Sequence, residues 1–334
     1  MPKQKSPTLL VILDGYGLAA PSKYNAITLS KRPTLDRLFE LYPHTQLGAT
    51  GKDVGLEDDK MSGSEAGHMN IGAGRIVHQD SYYITESIEN GSFFTNPVLV
   101  GAAHHTRNCG SKLHLMGLMG DYDSPHSDPD HFRAILKLAK KNGAKEVFCH
   151  LFTDGRDSYP RSAKTHLKHF QDIIKEEGIG RIATLSGRFY AMDRSKNWDR
   201  LIMAYEAIAF SRGEMANSPE EAIEKAYAAG LTDEYLLPTV ICDGNAPVAK
   251  LAPDDGMIFF NLRSDRARQF SKLFVACSKN CASNDDMPAI ERVDNLYFAA
   301  LTDFGPDLDV HTVWHGHTLA GTLPMALGQL KQLY

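Results

Sequence analysis

The sequence reads as an α/β protein built on a mainly parallel sheet with helices on its faces. Two observations predict this. Short apolar runs of strand length, at about 113–119, 147–152, 181–185, 256–261 and 296–301, are separated by longer stretches with helical spacing of apolar residues. Those stretches also carry helix start and stop signals, the pattern of strand–helix–strand units rather than of hairpins. With 334 residues the chain is long enough for two domains and a sizeable core.

In chain order, Thr8-Leu-Leu-Val-Ile-Leu13 is expected as a buried strand, ending in Asp14-Gly-Tyr-Gly17. A helix follows at about 33–42, with Pro33 in its first turn and Leu35, Leu38, Phe39 and Tyr42 spaced as core residues. Residues 60–80 are polar and glycine-rich and are expected as a loop around Ser64. From residue 80 the alternation becomes regular. Asp128-Pro129 opens a helix over 130–139, which Gly143 ends. A second helix covers about 160–177 and stops at Gly178, and others cover about 197–211 and 218–229. The last of these starts with Ser218-Pro-Glu-Glu221, a capping box with proline at the first helical position. No internal repeat or low-complexity segment occurs.

Composition excludes several function classes. The 36 basic and 41 acidic residues leave a net charge of −5, with no lysine or arginine run to suggest nucleic acid or another polyanion. No apolar run is long enough to suggest a membrane span or a secretory leader. Five cysteines, at 109, 149, 242, 277 and 281, are odd in number and irregularly spaced, as expected of reduced thiols in a cytoplasmic protein. Cys277-x3-Cys281 is a weak metal signal.

Three groups of residues point to chemistry. Ser64 lies between Gly63 and Glu65, with further glycines at 67, 72 and 74, where backbone can approach a ligand closely. The alternative is a surface loop containing a helix cap. Asp14, just past an expected strand and followed by glycines, suits a metal ligand, or it is simply a turn former. The third group follows other strands: Asp154-Gly-Arg156-Asp157, Ser186-Gly-Arg188, and Arg263-Ser-Asp-Arg266-Ala-Arg268. Arginine grips carboxylate and phosphate oxygens two at a time, so several at one sheet edge suit a small dianion, although any one alone is equally a solvated surface charge.

Asp14-Gly-Tyr-Gly17, Asn25-Ala26, Met61-x-x-Ser64-Glu-x-Gly-His68 and Gly72-Ala-Gly-Arg75-Ile together resemble cofactor-independent (2,3-bisphosphoglycerate-independent) phosphoglycerate mutase, of the alkaline phosphatase superfamily. Ser186-Gly-Arg-Phe-Tyr-Ala-Met-Asp-Arg194 extends the resemblance. It implies interconversion of 3-phosphoglycerate and 2-phosphoglycerate in glycolysis and gluconeogenesis, through a phosphoserine on Ser64. It implies Mn2+, two ions per complete site with other divalent metals as substitutes, and no requirement for 2,3-bisphosphoglycerate. Asp14 and Ser64 fall on metal ligands. His126, Arg156, Asp157, Arg188, Arg194, Arg263 and Arg266 fall on the substrate-binding positions. Around His126 the segment is one residue longer than the family pattern, and Asp128 replaces a common second histidine, so His126 is also readable as a loop histidine beside an Asp128 helix cap.

The resemblance further implies an alkaline-phosphatase-like metal-binding domain, incomplete here, with an inserted α/β phosphotransferase domain that binds substrate. The expected boundaries are 1–79, 80–311, and 312–334 for the start of the return to the first domain. Of the family's metal ligands only Asp14 and Ser64 are matched, fewer than a tight site needs. His311, His315 and His317, near Asp307 and Asp309, are expected in a solvated linker rather than as ligands. Two outcomes follow: a monomeric cytoplasmic mutase, or a silent phosphoglycerate-binding fragment completed by a C-terminal polypeptide. Neither involves nucleic acid or membrane.

Overall fold

Parallel strands buried on both faces read as unbroken apolar runs, and the central strands of the computed structural model have that character. The structure describes residues 7–58, 60, 62–275, 287–316 and 319–330. Its strands are β1 (Leu113–Leu118), β2 (Val147–Thr153), β3 (Arg181–Gly187), β4 (Glu214–Ala216), β5 (Thr239–Asp243), β6 (Ala246–Pro247), β7 (Gly256–Phe259), β8 (Tyr297–Thr302) and β9 (His311–Trp314). Every residue of β1 and β2 is buried.

The strands form one sheet in the order β4-β5-β3-β2-β1-β7-β8-β9, with β6 on β5. All neighbours are parallel except β3 with β5 and β5 with β6. β1 is central, aligning Leu113 with Val147 on one side and with Gly256 on the other. Alternate residues then face opposite layers. Leu113, Leu115, Cys149 and Leu151 pack with Leu99, Phe132, Ile135 and Phe170 from helices Pro97–Cys109, Pro129–Lys141 and Ala163–Glu177. Met116, Leu118, Phe152 and Phe259 pack with Trp198, Leu201, Tyr205 and Phe270 from helices Trp198–Phe210 and Ser264–Phe274.

The expected helices beyond residue 80 form close to their expected limits, and the stated caps act. Asp128 accepts from the amide of Asp130, Ser218 accepts from the amide of Glu221, and Gly178 stops its helix at φ +66°. Helices Asp80–Glu89, Pro97–Cys109 and Ser264–Phe274 and the strands β4, β5, β6 and β9 are additional to those expected.

Three expectations for the N-terminal segment are corrected. Residues 8–13 form no strand: a strand exists only through cross-strand hydrogen bonds, no described segment pairs with this one, and Leu9 is 84% exposed. The helix Pro33–Leu41 forms, but its apolar side is not core, with Leu38, Phe39 and Tyr42 all exposed. Ser64 is not in a loop; it opens the helix Ser64–Ala73, and Gly67 and Gly72 are helical. At the other end, β9 runs past the expected boundary at 311. His311 begins this strand and stacks on Tyr297 at 4.2 Å, while Trp314 stacks on Phe93, so this is sheet and not linker. Met61, Cys277, Cys281 and His317 lie outside the described residues.

Candidate active site

In an open parallel sheet the ligand crevice lies beyond the carboxyl ends of the strands, where the chain reverses its direction of travel across the sheet. Here that point is between β1 and β7: from β1 the chain steps to β2 and β3 on one side, and later from β7 to β8 and β9 on the other. The loop after β1 brings His126 to this crevice and the loop after β7 brings Arg263, and the amide of Leu262 donates to the His126 carbonyl (2.8 Å). Arg156 and Asp157 follow β2, and Arg188 follows β3.

Arg188 is the hub. It is 4% exposed, and its Nη1 donates to Asp154 Oδ1 and Asp157 Oδ2, both at 2.6 Å. Asp154 also accepts from the amides of Arg156 and Asp157, each at 3.1 Å, so one buried carboxylate both neutralises Arg188 and shapes the turn that carries two site residues. Arg188 Nη2 lies 3.1 Å from His126 Nε2. Asp157 Oδ2 lies 3.3 Å from the same ring nitrogen, while Nδ1 is buried and has no partner among the described residues. Burial pushes the His126 pKa below its ordinary value despite the opposing pull of Asp157, so the ring is neutral near pH 7.

Two glycines make this packing possible. A Cβ on Gly187 would sit 2.3 Å from the Glu234 carbonyl oxygen, and one on Gly155, at φ +70°, would sit 2.7 Å from the Glu234 amide nitrogen. The turn Asp233–Tyr235 wedges between the loops after β2 and β3 and brings Glu234 to 3.7 Å from Arg156. Asp233 holds this arrangement by accepting from the amides of Ser162 (2.7 Å) and Ala163 (2.8 Å) and from the Tyr227 hydroxyl (2.5 Å).

Two adjoining cavities result. The first, about 310 Å³, is lined by Arg156, Arg188, Arg194, Arg200 and Arg266 together with Asn197 and Tyr235. Burial and the neighbouring Arg194, Arg188 and Arg156 charges push the Arg266 pKa down, the mark of positive charge crowded into one place and favourable to an anion. The second, about 640 Å³, is lined by Ser64, Glu65, Asp157, Arg194 and Arg263 among others. Arg194 borders both. The structure thus separates Arg263, which faces the serine, from Arg266, whose Nη1 donates to the Met192 carbonyl (3.1 Å) beside the arginine cavity.

Ser64 is the first residue of its helix, where unpaired amides and the helix dipole favour negative charge. Its Oγ donates to Asp14 Oδ2 at 2.6 Å. Asp14 itself lines neither cavity. As a metal site the pair offers one carboxylate oxygen and one hydroxyl, and no group of three or more His, Cys, Asp or Glu able to hold a metal occurs among the described residues. These residues by themselves do not fit a tight divalent-metal site. Sequence reasoning missed Arg200, Glu234 and Tyr235 in the arginine cavity. The last two come from a segment with no motif of its own, and only the fold brings them in.

Known proteins resemble this chain over most of its length. The family model described as BPG-independent PGAM N-terminus (iPGM_N) matches residues 84–306. The chain is 45% identical over 307 residues to the 2,3-bisphosphoglycerate-independent phosphoglycerate mutase of Clostridium novyi, covering 91% of this chain and 58% of that protein. It is 46% identical over 321 residues to the enzyme of the same name from Clostridioides difficile, covering 96% of this chain and 61% of that one. Among solved structures it is similar to Leishmania mexicana phosphoglycerate mutase, crystallised at low cobalt concentration, with a TM-score of 0.82 and 25% identity over 95% of this chain and 59% of the other. The chain therefore spans about three fifths of the length of these relatives. With a mixed α/β sheet, a crevice at its switch point and a family match over residues 84–306, the chain belongs to the BPG-independent phosphoglycerate mutase N-terminus family.

Proposed function

We propose that this chain carries the substrate site and the nucleophile of a phosphoglycerate mutase that interconverts 3-phosphoglycerate and 2-phosphoglycerate, as in glycolysis and gluconeogenesis. The observation that carries the reading is that Ser64 and the arginines border adjoining cavities joined at Arg194. His126, Arg156, Asp157, Arg188, Arg194, Arg263 and Arg266 are the residues we assign to substrate. Ser64 Oγ attacks phosphorus as the bond to the 3-oxygen of phosphoglycerate breaks, and the proton of Ser64 passes to Asp14. The 3-oxygen leaves as the hydroxyl of glycerate once it takes up a proton. Glycerate turns within the cavity, its 2-oxygen attacks the phosphorus of the phosphoserine as its hydroxyl proton is released to solvent, balancing the one taken up by the 3-oxygen, and the departing Ser64 Oγ takes its proton back from Asp14. Through both transfers the arginines offset the charge on the phosphoryl oxygens. His126 backs these groups, its Nε2 lying 3.1 Å from Arg188 Nη2 and 3.3 Å from Asp157 Oδ2.

Manganese is the ion the resemblance implies. Asp14 and Ser64 would supply two of its oxygens, and its remaining donors would come from beyond the described residues. We assign residues 1–79 and those after the sheet to one body and the segment between to an inserted domain. Two contacts support that division: the helix Leu323–Gln329 packs on the helix Ser64–Ala73, and Arg75 Nη2 donates to the Ala320 carbonyl at 2.9 Å. The three described cysteines, Cys109, Cys149 and Cys242, are free thiols, in keeping with a cytoplasmic place.

The two-donor metal set favours a second reading, a phosphoglycerate-binding module without turnover that a second polypeptide completes. Turnover of 3-phosphoglycerate with added manganese and a chelator control, alongside calorimetric titration of the same ligand, separates the two. Chelator-sensitive turnover that Ser64→Ala abolishes supports the mutase. Binding without turnover supports the module, and absence of binding by the folded chain refutes both.

A further inference from the structure

The 640 Å³ cavity has two walls that are far apart in sequence: residues 62–65 on one side, and Asp123, Pro125, Asp157, Arg194 and Arg263 on the other. Its existence depends on whatever holds the serine-bearing segment against the sheet domain. Among the described residues, Glu65–Arg263 and Lys60–Asp128 are charged contacts that cross that junction, one on each side of Ser64. Arg263 Nε donates to Glu65 Oε2 at 3.0 Å, with Glu65 half exposed. Lys60 Nζ meets Asp128 Oδ2 at 2.5 Å, and here both side chains are largely buried, 15% and 6% exposed. An exposed pair contributes little, whereas removing one member of a buried pair leaves the other charge stranded at high cost.

The placement of the buried pair is specific. Lys60 lies four residues before Ser64 and is tied locally by its backbone, its carbonyl accepting from Gly51 (3.0 Å) and its amide donating to Glu57 (3.3 Å). Asp128 lies two residues after His126 and uses its two oxygens differently: Oδ1 caps the helix Pro129–Lys141 through the amide of Asp130 (2.8 Å), and Oδ2 takes Lys60. Neither residue lines the 640 Å³ cavity or the arginine cavity. A polar link runs parallel to the pair. The Thr85 hydroxyl donates to Glu57 Oε1 and accepts from His131 Nε2, both at 2.9 Å, again joining the segment before Ser64 to the sheet domain.

We propose that Lys60 and Asp128 are a positioning pair that holds the Ser64 helix terminus against the sheet domain, where it walls the 640 Å³ cavity. The pair lines neither that cavity nor the arginine cavity; it acts by fixing the distance between Ser64 and the loop that carries His126. Its meaning for phosphoryl transfer rests on the reading of Ser64 as the nucleophile.

The two functions of Asp128 can be separated by mutation. Asparagine caps a helix as well as aspartate does, so Asp128→Asn keeps the cap and removes the charge; Lys60→Met keeps the stem and removes the charge. Amide hydrogen exchange of the full chain is measured by mass spectrometry for both single variants and for the double. In each single variant exchange in the helix Ser64–Ala73 rises about tenfold, while the helix Pro129–Lys141 and strands β1–β3 keep wild-type rates. The double variant exchanges no faster than either single, because the two changes break one shared contact and the double leaves no stranded charge. Unchanged exchange in Ser64–Ala73, an equal rise in Pro129–Lys141, or effects that multiply in the double would each overturn the proposal. Calorimetry with 3-phosphoglycerate on the wild-type chain keeps the two questions apart: no binding sinks the functional reading, while the exchange rates still decide whether the pair positions the helix.

Discussion

Lowering the pH should destabilise this fold well before its carboxylates are protonated, and His131 allows the size to be worked out. This side chain is fully buried in the helix Pro129–Lys141, its Nε2 on Thr85, and burial, opposed by Asp128, lowers its pKa from 6.5 to about 4. The folded protein therefore resists a proton that the unfolded chain accepts. Stability from this residue is complete above pH 6.5 and is lost as the pH falls from there to about 4. At pH 5 the loss from His131 alone is about 2 kcal/mol, and it reaches about 3 kcal/mol below pH 4. His114, His150 and His126 are shifted the same way, first by burial, and add to it. Urea unfolding at pH 7 and pH 5 measures the wild-type loss. His131→Gln keeps a donor for Thr85 without a titrating ring, so its loss between the two pH values should be smaller by about 2 kcal/mol. Equal losses in wild type and His131→Gln would refute the assignment of this acid sensitivity to His131.

Arg188→Met should strand Asp154 as a buried, unpaired carboxylate, lowering stability by about 3–5 kcal/mol in urea unfolding and abolishing calorimetric binding of 3-phosphoglycerate. Asp233→Ala removes the acceptor of four hydrogen bonds. It should cost about 2–3 kcal/mol and weaken 3-phosphoglycerate binding, because the turn Asp233–Tyr235, which packs on Gly155 and Gly187, loses its anchor; wild-type affinity in the folded variant would deny it that role. Among the described thiols, Cys109 is exposed while Cys149 and Cys242 are buried, and burial pushes the Cys149 thiol pKa up. A thiol-specific reagent mapped by mass spectrometry should label Cys109 in the native chain and the other two only on unfolding.

The sheet domain was legible because its signals are local and agree with one another. The apolar run of β1, the Asp128-Pro129 start of the next helix and the stop at Gly178 each act over a few residues, and each appears in the structure. Residues 8–13 illustrate the opposite case. Thr8-Leu-Leu-Val-Ile-Leu13 has the composition of a buried strand, yet becoming one depends on a partner strand, which no described residue supplies. The helix Pro33–Leu41 shows the same split: its spacing makes it a helix, and whether Phe39 is core depends on what covers it.

The sequence alone determined that several arginines, an aspartate and a histidine follow strands, and that a serine stands among glycines, because residue type and short-range spacing are properties of the chain itself. The resemblance carried by those motifs led to the family that residues 84–306 match. Only the tertiary structure decided which of these residues meet. It joined Arg188 to His126, 62 positions away, brought Glu65 to Arg263 across 198 positions, and split Arg263 from Arg266 although they are neighbours in sequence. The physical reason is that contacts across an open sheet are set by strand order, and strand order follows from which apolar faces bury one another over the whole chain.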